Sequence, residues 1–133
     1  MHNYEGDPDK FAALFEPFKT GGAPWIFDPD YDAPFAGQPY IVDEYGGIWW
    51  NPGQSGGPAW GYGNRPRSVE EYIERYRRLT GALLDNPKMF GFCYTQLYDI
   101  EQEVNGIYTY ERKPKFDSAV LKAINSRRAA YEQ

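Results

Sequence analysis

Cysteine, histidine and long apolar runs are scarce in this sequence of 133 residues, and each scarcity excludes a class of protein. The lone Cys93 cannot form an internal disulfide, and one cysteine with one histidine cannot supply the usual ligands of a zinc site. No stretch approaches the roughly 18 consecutive apolar residues of a membrane span, and no signal-peptide pattern is present. We therefore expect no metal site and no membrane partner, while the compartment stays open.

Positive charge is also in short supply, because 14 basic residues stand against 19 acidic ones, for a net charge of −5. A chain of this sign repels the phosphates of nucleic acids, which are therefore not an expected partner. Hydrophobic residues make up 41% of the sequence, enough for a real core in a chain of this length. The composition predicts one globular unit over residues 1–133.

Aromatic residues are abundant, at 18% of the chain, and several of them share one stretch rich in glycine and proline: Tyr45, Trp49, Trp50, Trp60 and Tyr62. Aromatic rings that carry a polar group suit a surface that is partly apolar and partly hydrated, such as the face that a sugar presents to its binding protein. A loop that buries its own aromatic residues in a small local core would have the same composition. Composition alone leaves both interpretations open.

Hydrophobic spacing and chain-breaking residues predict the order helix, strand, helix, strand, helix. The helices are expected over 8–18, 69–85 and from about 117, with Tyr131 on the apolar side of the last one. The strands are expected over 40–43 and 89–97, and their continuous apolar runs predict burial on both faces. Segments 19–38 and 46–66 contain too many breakers for regular structure. This alternation indicates an α/β fold with parallel strands and flanking helices, and with too few strands to close a sheet.

Two apparent ligand-binding motifs fail on their spacing. Residues 28–32 begin like a calcium-binding loop, but Ala33 stands where that loop needs glycine. The pair Gly61 and Gly63 lacks the third glycine of a dinucleotide-binding turn, and no strand-to-helix turn surrounds it. We therefore expect no cofactor.

Glu44 is the residue that position singles out. It follows directly after the first predicted strand and precedes Gly46 and Gly47, so a rigid element would hold its carboxylate at the strand's C-terminal edge. In parallel α/β folds that edge is where functional sites are built. An exposed glutamate at the start of a turn would occupy the same position, and position alone does not exclude it.

Three segments together resemble glycoside hydrolase family two, the β-galactosidase and β-glucuronidase family. Residues 40–47, Tyr-Ile-Val-Asp-Glu-Tyr-Gly-Gly, resemble the family's nucleophile strand, barrel strand seven. Residues 91–94 resemble strand eight, and residues 105–115, Asn-Gly-Ile-Tyr-Thr-Tyr-Glu-Arg-Lys-Pro-Lys, resemble the family's closing segment. The matches occur in the family's order and cover nearly the whole chain. The resemblance implies a partial TIM barrel running from the end of strand six through helix eight.

The resemblance also implies roles for individual residues. Glu44 would be the catalytic nucleophile, and Tyr4 would donate a hydrogen bond to it from the end of strand six. Tyr94 stands near the position where relatives carry a strand-eight aromatic residue that walls the sugar pocket. We expect His2 and Trp49 to join Tyr94 in binding substrate.

The same resemblance implies a retaining mechanism, in which one carboxyl group attacks the sugar while a second protonates the leaving group. The family's acid/base glutamate follows strand four, so we expect this chain to carry the nucleophile without its partner. The fragment alone should then be inactive on ordinary glycosides, and an activated aryl glycoside is the most that it could use. Glucuronidase members show an Asn-x-Lys clamp where this chain has Glu103-Val-Asn105-Gly106. A uronic acid is therefore disfavoured, and a β-galactoside-like carbohydrate is the expected substrate.

Two further expectations concern an alternative function and the association of this chain with other chains. A non-catalytic carbohydrate-binding or interaction module derived from such a barrel is the rival to a hydrolase fragment. Cutting a barrel would leave a strand edge unpaired and one apolar flank of the sheet exposed, and both are templates for pairing with another chain. We therefore expect self-association or association with the complementary barrel segments.

Overall fold

A computed structural model describes residues 1–53 and 58–133, so residues 54–57 of the predicted loop 46–66 lie outside the described residues. Within these described ranges, three strands and three helices succeed one another, followed by a short 3₁₀ turn. They are β1 (His2–Asn3), α1 (Pro8–Lys19), β2 (Tyr40–Gly46), α2 (Val69–Leu84), β3 (Met89–Thr95), α3 (Ala119–Asn125) and the 3₁₀ turn Ala130–Glu132. The predicted alternation of strands and helices is confirmed.

The three strands form one sheet in the order β1-β2-β3, and both pairings are parallel. Strands that run in the same direction need crossover connections, and here the chain passes through α1 between β1 and β2 and through α2 between β2 and β3. The expectation of parallel strands with flanking helices is confirmed. The arrangement is consistent with a portion of a barrel.

Helix α1 begins and ends where local chemistry predicts. The Asp7 side chain accepts hydrogen bonds from the backbone N–H groups of Asp9 and Lys10, and Pro8 occupies the first turn, where its missing N–H costs nothing. The helix ends before Gly21, which adopts a φ of 102°. Its buried side chains, Phe11, Phe15 and Phe18, recur at helical spacing. These rings fix which face of α1 meets the sheet.

Helix α2 supplies the other half of the cover over the sheet. Ser68 caps it by accepting a hydrogen bond from the Glu71 N–H, and its apolar side buries two tyrosines and three leucines. The Tyr45 hydroxyl from β2 bonds the Thr80 hydroxyl at 2.7 Å inside this interface. The core therefore lies between one face of the sheet and helices α1 and α2.

The opposite face of the sheet is open, which differs from the burial on both faces that the apolar runs predict and agrees with the exposed apolar flank expected of a cut barrel. Tyr40 and Val42 are buried, but Ile41 between them keeps 43% of its surface accessible. On β3, Cys93 is exposed. The apolar runs predict fully buried strands, yet the helices cover only one face, so alternate side chains of the described chain face solvent. We call the uncovered side, with Ile41, Gly91 and Cys93, the open face.

Two element ends also differ from the prediction. Strand β3 ends at Thr95 instead of residue 97, and Leu97 beyond it is 61% exposed. Helix α3 ends at Asn125, so Tyr131 belongs to the separate 3₁₀ turn, where its ring meets Phe90 edge-on at 5.3 Å. Apolar residues continue past both ends, and spacing alone could not locate the breaks.

Candidate active site

A bulge in β2 controls where Glu44 points. Val42 pairs with Phe92 and Tyr45 pairs with Tyr94. Between these two pairs, β2 advances by three residues while β3 advances by two. Both Val42 and Tyr45 are buried toward the helices. The extra residue lies between them, at Asp43 and Glu44, and bulges of this kind re-aim side chains next to functional sites. Because of it, the side chains of Asp43 and Glu44 both stay accessible, at 55% and 42%.

The Glu44 carboxylate is held by two side chains from the β1 segment. The Tyr4 hydroxyl donates a hydrogen bond to Oε2, and Nδ1 of His2 lies 3.3 Å from the same oxygen. The parallel register that places His2 beside Glu44 brings these groups together. The second oxygen, Oε1, is not found in polar contact with any residue of ranges 1–53 and 58–133. One carboxylate oxygen is thus anchored while the other remains available.

The Tyr4 phenol is suited to remain a donor. Burial, and then its hydrogen bond to the Glu44 carboxylate, raise the pKa of Tyr4 well above its usual value. Ionisation would place two negative charges side by side, so the proton stays on the phenol at neutral pH. The Thr95 hydroxyl, 3.4 Å from the Tyr4 oxygen, is the third member of this cluster. The neutral Tyr4 hydroxyl therefore holds the Glu44 carboxylate in a fixed orientation.

Tyr62 supports Tyr4 from the long loop. The two rings stack with centroids 3.7 Å apart and planes within 10° of parallel. The Tyr62 N–H donates to the Gly47 carbonyl at 2.8 Å, which ties the loop to the end of β2. Sequence reasoning named Tyr62 only as one of several loop aromatics, and it missed Thr95 altogether. Strand alternation, counted from the buried Tyr94, would have indicated Thr95.

The expected role of Tyr94 in walling a sugar pocket stays a prediction, and the structure shows which residues its side chain contacts. Its ring packs on the helix side of the sheet, 4.9 Å from the Tyr76 ring, and its hydroxyl lies 3.0 Å from that of Tyr72. Burial raises the pKa of Tyr94 well above its usual value. Residues one apart on a strand face opposite sides. The side chain that β3 directs toward Tyr4 and Glu44 is therefore that of Thr95.

The other two expected binding residues occupy different places. His2 lies beside Glu44 and also reaches Asp43, with Nε2 3.5 Å from a carboxylate oxygen. Trp49 is half-buried further along the loop, where the Arg65 guanidinium lies 6.0 Å from the centre of its ring. The structure brings His2 to the carboxylate, and it places Trp49 in the loop that follows β2.

A buried ion pair fixes the loops behind the site. The Lys115 ammonium lies 2.6 Å from Asp99, with side-chain exposures of 1% and 3%, and it also donates to the backbone carbonyls of Trp50 and Val104. Asp99 in turn accepts the Gly106 N–H at 2.9 Å. Burial lowers the pKa of Lys115, and Asp99 opposes that shift. One cation therefore joins the loop after β2 to the loops after β3.

Asn105, from the segment that resembles the family's closing motif, is fully buried. Its Nδ2 donates to Glu103 at 2.9 Å, and its Oδ1 accepts from Gln96 at 2.6 Å. Both ends of the amide are therefore engaged within the protein. Asn105 therefore braces the loop from within.

Neither a metal cluster nor a membrane helix emerges from the described residues. No group of three or more histidine, cysteine, aspartate or glutamate side chains in ranges 1–53 and 58–133 is placed to hold a metal ion. In the same ranges, no helix has the length and apolar character required to cross a bilayer.

Two solved structures resemble this chain. A Faecalibacterium prausnitzii β-glucuronidase is 17% identical with a TM-score of 0.57, and the match covers 96% of this chain and 21% of that one. A Bifidobacterium dentium β-glucuronidase complexed with coumarin-3-O-glucuronide is 18% identical with a TM-score of 0.57, and that match covers 94% of this chain and 20% of the enzyme. No protein-family model and no curated protein sequence matches.

These two matches show which fold the chain has and how much of each enzyme it corresponds to. At such low identity the chain shares the fold of part of these glycoside hydrolases, in agreement with the resemblance to family two. The chain spans about a fifth of the length of the two enzymes.

Proposed function

We propose that this chain is a segment of a retaining β-glycosidase and that Glu44 is its nucleophile. The observation that carries the proposal is the Glu44 carboxylate itself, anchored through one oxygen by the Tyr4 phenol and directed by a bulge to the open side of a parallel sheet. A retaining nucleophile needs a carboxylate that stays ionised and oriented toward the anomeric carbon. The shared fold with two β-glucuronidases supports the same class of chemistry.

In this mechanism, Glu44 attacks the anomeric carbon and the glycosidic bond breaks, which leaves a covalent glycosyl-enzyme and a departing alcohol. A second carboxyl group, about 5–5.5 Å away, would protonate the glycosidic oxygen as its bond breaks, so that it departs as the alcohol, and would later activate water. We propose that this chain does not supply the second group. Asp43, the neighbouring carboxylate, lies against the same imidazole as Glu44, where it shares the role of orienting His2.

We propose a neutral β-galactoside-like sugar as the substrate in preference to a uronic acid. The names of the two structural neighbours favour a glucuronide, but the residues of this chain favour a neutral sugar. A uronate needs a cation, and Lys115 is buried against Asp99. Asn105 uses both ends of its amide internally. The Asp43 carboxylate, which lies against the same imidazole as Glu44, adds negative charge at this edge and so disfavours a uronate.

Aryl glycosides test this proposal because an activated phenolate leaves without acid assistance. The purified chain should release dinitrophenol from a 2,4-dinitrophenyl β-galactoside, and Glu44→Gln should abolish the release. Glu16→Gln, an exposed glutamate on α1, is the matched control and should behave as the unsubstituted chain does. Release that is equal in all three proteins would contradict a nucleophilic role for Glu44.

Two further substrates separate the finer parts of the proposal. The corresponding aryl β-glucuronide should react more slowly than the galactoside, and a faster reaction would overturn the preference for a neutral sugar. Lactose has a poor leaving group and should not be turned over, since the acid is absent. Turnover of lactose at an enzyme-like rate would show that the chain contains the second carboxyl group after all.

The rival function is a carbohydrate-binding module without catalysis. The observation that favours it is the set of exposed aromatic rings, among which Trp60 is 44% and Tyr98 37% accessible. Such a module would bind sugars without any Glu44-dependent release of phenolate. Calorimetric binding of galactosides with unchanged affinity in Glu44→Gln, together with no turnover, would favour the module.

A further inference from the structure

We propose that Tyr62 is a positioning residue whose ring holds the Tyr4 phenol against Glu44. The inference rests on the proposed function, because it concerns the support of the proposed nucleophile. It assigns a catalytic purpose to the loop after β2: the loop presents a ring that fixes the donor.

Tyr4 needs a ring that supports it, because few regular backbone contacts fix the segment in which it lies. Strand β1 has only two residues, and the next regular element, α1, begins at Pro8. Nearby, the Asn3 side chain accepts a hydrogen bond from the Glu5 N–H at 3.0 Å, which fixes backbone but not the phenol. A tyrosine side chain with two rotatable bonds would otherwise move over the open side of the sheet.

The Tyr62 ring is well placed to prevent that motion. It lies flat on the Tyr4 ring at 3.7 Å, a closer and more parallel contact than the edge-on meeting of Tyr62 with Trp60 at 5.7 Å and 79°. Tyr62 is itself fixed, since its N–H bonds the Gly47 carbonyl and its backbone forms a bridge to Ile48. The stack therefore connects Tyr4 to the end of the strand that carries Glu44.

Gly47 makes room for this stack. A Cβ at this position would overlap the Tyr62 ring and would come within 3.1 Å of the Tyr4 ring. The residue also has a φ of 55°, a conformation that favours glycine. The glycine next to the nucleophile strand is thus explained by the two rings that close over it.

The stack depends on the face of the Tyr62 ring, and its hydroxyl takes no part in it. No hydrogen bond of that hydroxyl is found within ranges 1–53 and 58–133. Phenylalanine at this position should therefore preserve the function of the ring, while leucine, of similar size but without a flat face, should remove it. This contrast separates positioning from a direct polar role of Tyr62.

The first test is spectroscopic and does not depend on activity. Tyrosine labelled with ¹³C at the ring carbon that bears the hydroxyl gives one signal per residue, and Tyr4→Phe assigns the signal of Tyr4. In the unsubstituted chain and in Tyr62→Phe, this signal should not shift up to a pH of about 11, one unit above the ordinary tyrosine pKa. In Tyr62→Leu it should titrate nearer that ordinary value, because the phenol has left Glu44.

The second test is kinetic. With the aryl galactoside, Tyr62→Leu should lower kcat roughly ten- to a hundredfold, in the range expected when a catalytic group is misplaced by about 1 Å. Tyr62→Phe should retain the full rate, and Tyr110→Leu, which removes a 58% exposed tyrosine elsewhere, is the matched control. Gly47→Ala, which displaces the Tyr62 ring without removing it, should act like Tyr62→Leu and serves if that variant does not fold.

The outcomes distinguish the inference from the proposed function. An unchanged Tyr4 signal and rate in Tyr62→Leu would overturn the inference, and so would a Tyr62→Phe variant as damaged as the leucine variant. If the unsubstituted chain shows no Glu44-dependent turnover but the Tyr4 signal still responds to Tyr62→Leu, the positioning stands and the proposed function fails.

Discussion

Lys115→Met should remove a large part of the stability of this protein. The ammonium makes contacts with Asp99 and with two backbone carbonyls at 1% side-chain exposure. Methionine keeps the length and apolar stem of lysine but leaves the Asp99 carboxylate buried. Among the described residues, the Gly106 N–H is then its remaining hydrogen-bond donor. Removing one partner of a buried ion pair costs about 3–5 kcal/mol, because the remaining charge is neither paired nor hydrated. Whole domains unfold with about 5–15 kcal/mol.

Urea unfolding followed by circular dichroism measures the loss. With a slope of about 2 kcal/mol per molar urea, a cost of about 3–5 kcal/mol lowers the midpoint by about 1.5–2.5 M. Lys113→Met is the control, since that lysine is two residues away, exposed and changed in the same way. Adding Asp99→Asn to Lys115→Met removes the stranded charge and keeps an acceptor for the Gly106 N–H, so it should recover part of the loss.

A midpoint that falls by less than about 0.5 M would refute this reasoning, because it would put the pair in the range of exposed ion pairs, worth about 1 kcal/mol or less. Strict additivity of the two substitutions would also contradict it, since residues that share an interaction should be coupled.

Two predictions concern pH and association. Burial raises the pKa of several tyrosines above the unfolded value of about 10, so their contribution to stability is complete below that pH and is lost as the pH rises through the folded pKa values. The urea midpoint should fall above a pH of about 10, and a constant midpoint up to about 11 would contradict the tyrosine burial. For association, we propose that the open face and strand edges drive self-association at micromolar concentration. Sedimentation should show it, Ile41→Lys should weaken it, and a stable monomer would contradict it.

Local signals were sufficient to predict much of the fold. Asp7 before Pro8, and Ser68 before a regular apolar spacing, predicted where α1 and α2 begin, because caps and periodicity act over one or two turns of helix. Continuous apolar runs predicted β2 and β3, and their alternation with helices predicted parallel pairing. These features depend on neighbours in sequence.

The features that sequence missed depend on neighbours in space. The bulge at Asp43 and Glu44 exists only in the pairing of β2 with β3, and no property of either strand alone reveals it. Which of Tyr94 and Thr95 faces Glu44 depends on the same register. The open face could not be predicted from apolar runs, because they do not say how many layers cover a sheet.

In the candidate site, too, sequence indicated some residues, and others became evident only from their neighbours in space. Resemblance to a family indicated Glu44 and Tyr4, and the structure shows the hydrogen bond between them. The stack of Tyr62 on Tyr4 joins residues 58 positions apart through a long loop, so no local spacing predicts it. Aromatic richness indicated the loop, but only the folded chain shows which ring lies against the donor.

Covalent trapping tests the central claim, that Glu44 is the nucleophile, most directly. A 2,4-dinitrophenyl 2-deoxy-2-fluoro-β-galactoside has a leaving group that needs no acid and forms a glycosyl-enzyme that hydrolyses slowly, so the intermediate can be isolated for mass spectrometry. We expect one sugar per chain, located by peptide mapping on Glu44, and no adduct in Glu44→Gln. An adduct on any other residue, or an unmodified chain after prolonged incubation, would contradict the assignment of Glu44 as the nucleophile.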